Sequence, residues 1–269
     1  MLEGKKASMN VAVNVGRIWV IARNVFQEIF RERILYVTAV FAIAYALAVM
    51  VLSEVSAGNQ SKISLDVGMG AIDLFGLVIV AFVGSSLINK EIEKRTVLVM
   101  LAKPISRGEF IIGKHLGLAG VLAVLVALMT LVFFIINSFN GFDYPLGALS
   151  LASLFIALEL CLMAAAAVLL GVMTSSLIAT LLTIALYFMG HFSQNLVALS
   201  QTMESSAVRH IMQSIYLILP DLSRLNLKND AVYGILPEPS ILVMNAIYGI
   251  IYTILLLSMA TWLFARRNF

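Results

Sequence analysis

Charge is what this sequence has least of. Only 12% of its 269 residues are Asp, Glu, Lys or Arg, against about a quarter in a soluble globular domain. So few charges cannot cover a water-facing surface, and a cytosolic enzyme or a secreted domain is excluded. A single cysteine, Cys161, excludes an internal disulfide; it sits inside an apolar run, where a thiol is inert. Five prolines and 17 glycines exclude collagen-like and Pro/Gly-rich disordered chains. No repeat of solenoid period occurs, and the second half does not echo the first, which disfavours a self-contained carrier made of two homologous halves. Catalytic and metal signatures are missing too. No Ser-His-Asp set or metal cluster emerges by spacing, and His115 and His210 have no partners at ligand spacing.

Apolar sequence is abundant: 61% of residues are hydrophobic and the mean hydropathy is +0.99. A helix crosses a bilayer in about 20 predominantly apolar residues. Six runs meet that test, at 34–52, 67–89, 116–138, 147–172, 177–199 and 240–264. Each must be helical, because hydrocarbon offers no partner to a bare amide. The expected fold is therefore all-α and polytopic, with six transmembrane helices in a domain spanning 34–264. The first run follows an arm, 1–33, that carries six Lys/Arg, so a cleavable signal peptide is not expected. Six further basic residues lie in the link between the second and third runs, and Arg266 and Arg267 stand at the start of the tail 265–269. Placing arm, link and tail on one side gathers 14 of the 18 Lys/Arg there. By the positive-inside rule, both termini are expected in the cytoplasm of a cell inner (plasma) membrane protein. The net charge of +3 and the pI near 9.0 thus report topology, and no nucleic-acid partner is expected.

Two segments beside the first and second spans have designed patterns. Before the first span, Ile18, Ala22, Val25, Phe26, Ile29 and Phe30 share one helical face, and Arg17, Asn24, Glu28 and Arg31 the other. Such a helix lies in the headgroup plane against membrane lipids, or packs on protein. The inner link 89–115 reads as a helix leaving the second span, with charges at 90–95 and an apolar run from Val97 to Leu101. Pro104 stops it. Ser106 and Glu109 then have the S-x-x-E spacing of a capping box that opens a new helix. The result is a charged elbow suited to docking on a cytosolic partner. Gly108 to Lys114 fits G-x-x-x-x-G-K, but His115 stands where a P-loop needs Ser or Thr, and Phe110, Ile111 and Ile112 replace the phosphate cradle. The chain does not bind ATP by that route.

The outer segment 200–239 carries a helical stripe, Val208, Ile211, Met212, Ile215 and Leu219, ended by Pro220. It reads as a packed lid over the spans. Within the spans, intramembrane acids face protein or water. Glu159, midway along the fourth, is read evenly as a cation or proton site or as an internally paired carboxylate. Asp73, nearer the interface, is read first as paired or reaching headgroups. Thr180, Thr183, Tyr187, His191 and Gln194 follow steps of three and four, so they form one polar stripe facing a helix neighbour or, preferred here for the large Tyr187 and His191, a wet cavity. By itself His191 reads as a hydrogen-bonded interior histidine rather than a metal ligand.

Together, the spans, the pre-span helix and the link Glu91-x-Glu-Lys-Arg-Thr96, Leu101-x-Lys-Pro104-Ile-Ser-Arg107 and Gly113-Lys114 resemble the type-2 ABC transporter permeases. They are most similar to the compact permeases of the nitrous-oxide-reductase maturation system. Residues 219–229 also resemble a stretch those permeases carry before the sixth span. The resemblance implies a permease homodimer working with two cytosolic ABC ATPase subunits, which would hold ATP and Mg, leaving this chain non-catalytic and without a cofactor of its own. It implies that 89–104 is the coupling helix, placing Glu91, Glu93, Lys94, Arg95, Thr96, Lys103, Pro104 and Arg107 at the ATPase groove. Helix 17–33 would be the connecting helix. Spans two and five would line the path, bringing Asp73, Thr180, Thr183, Tyr187, His191 and Gln194, with Glu159, to an export cavity. Two alternatives stay open: a membrane subunit that transmits the ATPase stroke to an outer partner protein, and a stand-alone channel or intramembrane enzyme.

Overall fold

The computed structural model describes residues 15–30, 35–55, 59–93, 106–192 and 219–266. Among these there are helices and turns and no strand. In chain order they are α1 (Val15–Ile29), α2 (Leu35–Val55), α3 (Gln60–Ile79), a π-helical turn (Val80–Gly84), α4 (Ser85–Glu93), α5 (Arg107–Phe139), α6 (Leu146–Met173), α7 (Ser176–His191), a 3-10 turn (Leu222–Arg224), α8 (Lys228–Tyr233) and α9 (Pro239–Arg266). Four helical stretches are long and apolar enough to cross a membrane: 60–89, α5, α6 and α9. The apolar stretches Tyr36–Leu52 and Ser176–His191 are shorter within the described residues.

The long apolar runs become helices close to the expected bounds, with two differences. Helix α7, expected over 177–199, ends at His191 with Phe192 as its cap. The stretch beginning with α3 starts at Gln60, well before residue 67. Helical hydrogen bonding continues through Lys62 and Asp66, which a hydropathy window rejects. At the start of α5 the capping box forms as its spacing predicts. Ser106 is extended, its hydroxyl accepts from the Glu109 amide at 3.1 Å, and the Glu109 carboxylate accepts from the Ser106 amide at 2.7 Å. Two orphan amides are thereby satisfied at once. After α8, Gly234 takes φ +71, a left-handed helix end that glycine adopts without a Cβ penalty.

Helix α6 is the centre. Protein covers 78% of its apolar window, against 17% for α9 at the periphery. Lipid gives apolar helices no hydrophobic reason to associate, so close packing by small residues drives their contact. Ala164, Ala165, Ala166 and Ala167 are all buried. At Gly171 an added Cβ would lie 2.7 Å from the Ser85 carbonyl oxygen, and at Gly84 one would lie 2.9 Å from Ala167 Cβ. The same device seats α1 on α5, where Cβ atoms at Gly113 and Gly117 would meet Ile21 at 2.8 Å and the Ala22 carbonyl at 2.7 Å. The apolar stripe of α1, with Ile18, Ala22, Val25 and Ile29 buried, is thus covered by α5, while Trp19 and Val20 on other faces are exposed.

Residues 219–233 form a lid across one end of the helices. Leu222, Leu225, Leu227, Ala231 and Val232 are buried, and Leu222 lies where a Cβ at Gly190 would stand, at 2.7 Å. Of the expected stripe, Val208, Ile211, Met212 and Ile215 lie outside the described residues.

Candidate functional site

Polar side chains inside the bundle gather at three levels. Between α2 and α3, Tyr45 OH bonds the Ser64 carbonyl at 3.1 Å and the Ser64 hydroxyl at 3.0 Å. Asn137 Nδ2 donates to Tyr45 OH at 2.8 Å and to the Phe133 carbonyl at 2.7 Å, and its Oδ1 accepts from Ser64 at 3.2 Å. Every hydroxyl and amide oxygen or nitrogen in this network has a partner, and it ties α2, α3 and α5 together. Lower down, the π-helical turn disturbs the regular ladder. Ala81 O accepts from the Ser85 hydroxyl and from Thr180 Oγ1 of α7 at 3.1 Å, while Ser85 and Thr180 lie 2.6 Å apart. Thr183 donates to Ala179 O at 2.7 Å. Thr180 and Thr183, expected to join a cavity-lining stripe, are therefore buried in helix contacts that satisfy backbone and hydroxyl groups.

The third level differs. Asp73 of α3 and Glu159 of α6 are both 0% exposed. Tyr187 OH donates to Asp73 Oδ2 at 2.5 Å, and the Lys228 ammonium, reaching in from α8, pairs with the same oxygen. The His191 Nδ1 lies 3.2 Å from the Tyr187 carbonyl, which can only accept, so Nδ1 carries the proton. Its Nε2 stands 3.3 Å from Glu159 Oε1 without hydrogen-bond alignment. Asp73 Oδ1, both Glu159 oxygens and His191 Nε2 have no hydrogen-bond partner. One ligand atom from each of Asp73, Glu159 and His191 lies within 4.8 Å of the others. Measured along the helices, Glu159 is about 21 Å from the Met173 end of α6, and His191 about 22 Å from the start of α7, so the two residues share a level. Asp73, expected first to pair across a helix contact or to reach headgroups, is paired with Tyr187 and Lys228 and stands in a buried cluster drawn from four elements.

At the opposite end, charged side chains clamp helices to one another. Glu91 of α4 pairs with the buried Lys114 of α5. Arg17 of α1 lies 3.8 Å from the buried Glu109. Arg107 donates to the Phe264 and Ala265 carbonyls at 2.8 and 2.9 Å, satisfying acceptors that the end of α9 leaves open. Of the residues assigned to ATPase contact by resemblance, Glu91 and Arg107 thus have partners within the chain. Glu93 ends α4, and Lys94, Arg95, Thr96, Lys103 and Pro104 lie outside the described residues, as does Gln194.

Sequence reasoning missed Lys228, one of the four Lys/Arg left outside the 14 gathered on one side. The one available signal was Lys228 following a Leu-rich turn, Leu222, Leu225 and Leu227, whose burial drags the lysine inward.

Long apolar helices, small-residue contacts and a buried acid–imidazole–ammonium centre define a multi-pass helical membrane protein. A family model described as ABC-2 family transporter protein matches residues 19–269, and the chain belongs to that family. No curated protein matches the chain. Membership makes it a transmembrane subunit of an ABC transporter, in a family whose membrane chains are usually non-catalytic and work with an ATPase partner, often as homo- or heterodimers.

Proposed function

We propose that this chain is the permease of an ATP-driven exporter, a homodimer of six-span subunits with both termini in the cytoplasm. Two separate ATPase chains would bind and hydrolyse ATP with Mg against the elbow 89–115. Within the family, the chain would belong with the compact permeases of the nitrous-oxide-reductase maturation type. The observation that carries this reading is one continuous helical path. From the Glu91–Lys114 clamp, α4, the π-helical turn and α3 run without a break to Asp73, about 27 Å along the axis. A push on the elbow therefore reaches the buried centre through a single rod, and the π-helical turn is its natural bend. Switching from inward to outward access also needs two states that bind the substrate with different free energy. Tyr187, His191, Glu159 and Asp73 are the polar groups placed to read that difference.

Tagged chain purified from its native membrane should bring a nucleotide-hydrolysing subunit with it. Arg95→Glu should remove that subunit while leaving the permease monodisperse; unchanged co-purification would refute the coupling role. Glu91 is a poorer probe, because reversing it would set two cations side by side at Lys114. The lid supports the second reading, transmission to an outer partner protein. Through Lys228 on Asp73 and Leu222 on Gly190, movement of α3 or α7 is passed directly to residues 219–233. Crosslinks from the lid to an outer protein, with no solute stimulating ATP hydrolysis, would favour it over export.

A further inference from the structure

We propose that Asp73, Glu159 and His191 form a binding site for one divalent first-row transition-metal ion. The inference rests on the donor geometry and is independent of whether the chain exports anything. Elsewhere in the described interior the Tyr45–Ser64–Asn137 network is complete, and His115 Nδ1 and Thr130 Oγ1 are single atoms without a hydrogen-bond partner. Native proteins leave few buried acceptors without partners. Yet four lone-pair atoms, Asp73 Oδ1, Glu159 Oε1 and Oε2 and His191 Nε2, converge here with none. The His191 tautomer makes the point sharply: with Nδ1 donating to the Tyr187 carbonyl, a lone pair on Nε2 faces a carboxylate oxygen 3.3 Å away. Two acceptors facing each other call for a positive species between them. A proton would serve one such pair and leave the remaining acceptors bare, whereas a metal ion serves all three residues.

The surroundings are those of a supported metal site. A ligating histidine normally donates its other nitrogen to a backbone carbonyl or carboxylate, and ligating carboxylates are themselves hydrogen-bonded. His191 has the Tyr187 carbonyl, and Asp73 has Tyr187 OH and Lys228 on Oδ2, which leaves Oδ1 without a hydrogen-bond partner. Metal bonds of about 2.0–2.2 Å put two donors at most about 4.4 Å apart. The observed limit of 4.8 Å is closed by side-chain movement of a few tenths of an ångström. Imidazole with two carboxylates suits zinc or its first-row neighbours rather than calcium or magnesium. The route in is from the lid end, where the His191 side chain is 17% exposed and that of Lys228 is 14% exposed.

The test uses the full chain in detergent, stripped of metal. Zn2+ is titrated against a chromophoric chelator, and Co2+ is followed by its visible absorption. Expected are one equivalent bound per chain with micromolar affinity or better, and ligand-field bands for Co2+ with nitrogen and oxygen donors. Zn2+ should also raise the melting temperature of the wild type. Glu159→Gln and His191→Ala should each weaken Zn2+ binding at least tenfold, and His115→Ala, which lies outside the cluster, should leave it unchanged. The absence of saturable binding to the wild type overturns the proposal whatever the variants do. So does binding that survives both cluster substitutions or is lost on His115→Ala. Should a variant fail to fold, the wild-type stoichiometry, cobalt spectrum and melting shift decide the matter.

Discussion

Removing Lys228 should harm the fold more than removing the acid it pairs with. In Lys228→Met the Asp73 carboxylate, fully buried, keeps its bond from Tyr187 but loses its cation, and it stays within 4.8 Å of a second carboxylate. Stripping one partner from a buried ion pair costs about 3–5 kcal/mol, which shifts the folded-to-unfolded ratio by at least about two orders of magnitude. Asp73→Asn acts differently. The amide keeps a polar group beside Tyr187, the repulsion with Glu159 disappears, and the ammonium, already 14% exposed, has a short way to swing into water along its flexible stem. Its expected cost is about 1–2 kcal/mol. The double variant should resemble Asp73→Asn alone, giving a coupling energy well outside the error of additivity. Reversible unfolding in mixed micelles with a chelator present measures all three. A Lys228→Met cost no larger than that of Asp73→Asn, or strict additivity, would refute the view that Lys228 neutralises the centre.

Gly117→Ala forces a Cβ to 2.7 Å from the Ala22 carbonyl and should lower stability by about 1–3 kcal/mol by lifting α1 from α5. Gly70→Ala, with nothing within 4 Å, should be neutral or stabilising in the same thermal-unfolding assay. Ser106→Ala removes half of the capping box and should cost about 1 kcal/mol, seen as faster amide exchange in the first turn of α5. Tyr187→Ala should change substrate-stimulated ATP hydrolysis of the assembled transporter more than Leu181→Ala on the exposed face of α7; equal effects would assign Tyr187 to packing alone.

The helices of this protein are written locally. Twenty apolar residues leave a backbone no choice but to bond internally, so the bounds of α5, α6 and α9 follow the hydropathy, and the α5 start follows from Ser106 and Glu109 alone. The α1 stripe was equally visible, since Ile18, Ala22, Val25 and Ile29 keep the helical period whichever surface covers them. Within the polar stripe of α7, sequence placed Thr180, Thr183, Tyr187 and His191 on one face but could not divide it. Thr180 and Thr183 end in helix contacts, and Tyr187 and His191 in the buried cluster, because their neighbours come from α3, α6 and the lid.

That division marks the boundary between chain and fold. Composition and period determine that the chain is helical and membrane-embedded, since each is a property of neighbours in sequence. The meeting of Asp73, Glu159, Tyr187, His191 and Lys228 joins residues up to 155 positions apart. Only the crossing of α3, α6 and α7 under the 219–233 lid decides it, because a buried charge is defined by what surrounds it in space, and no spacing along the chain encodes that.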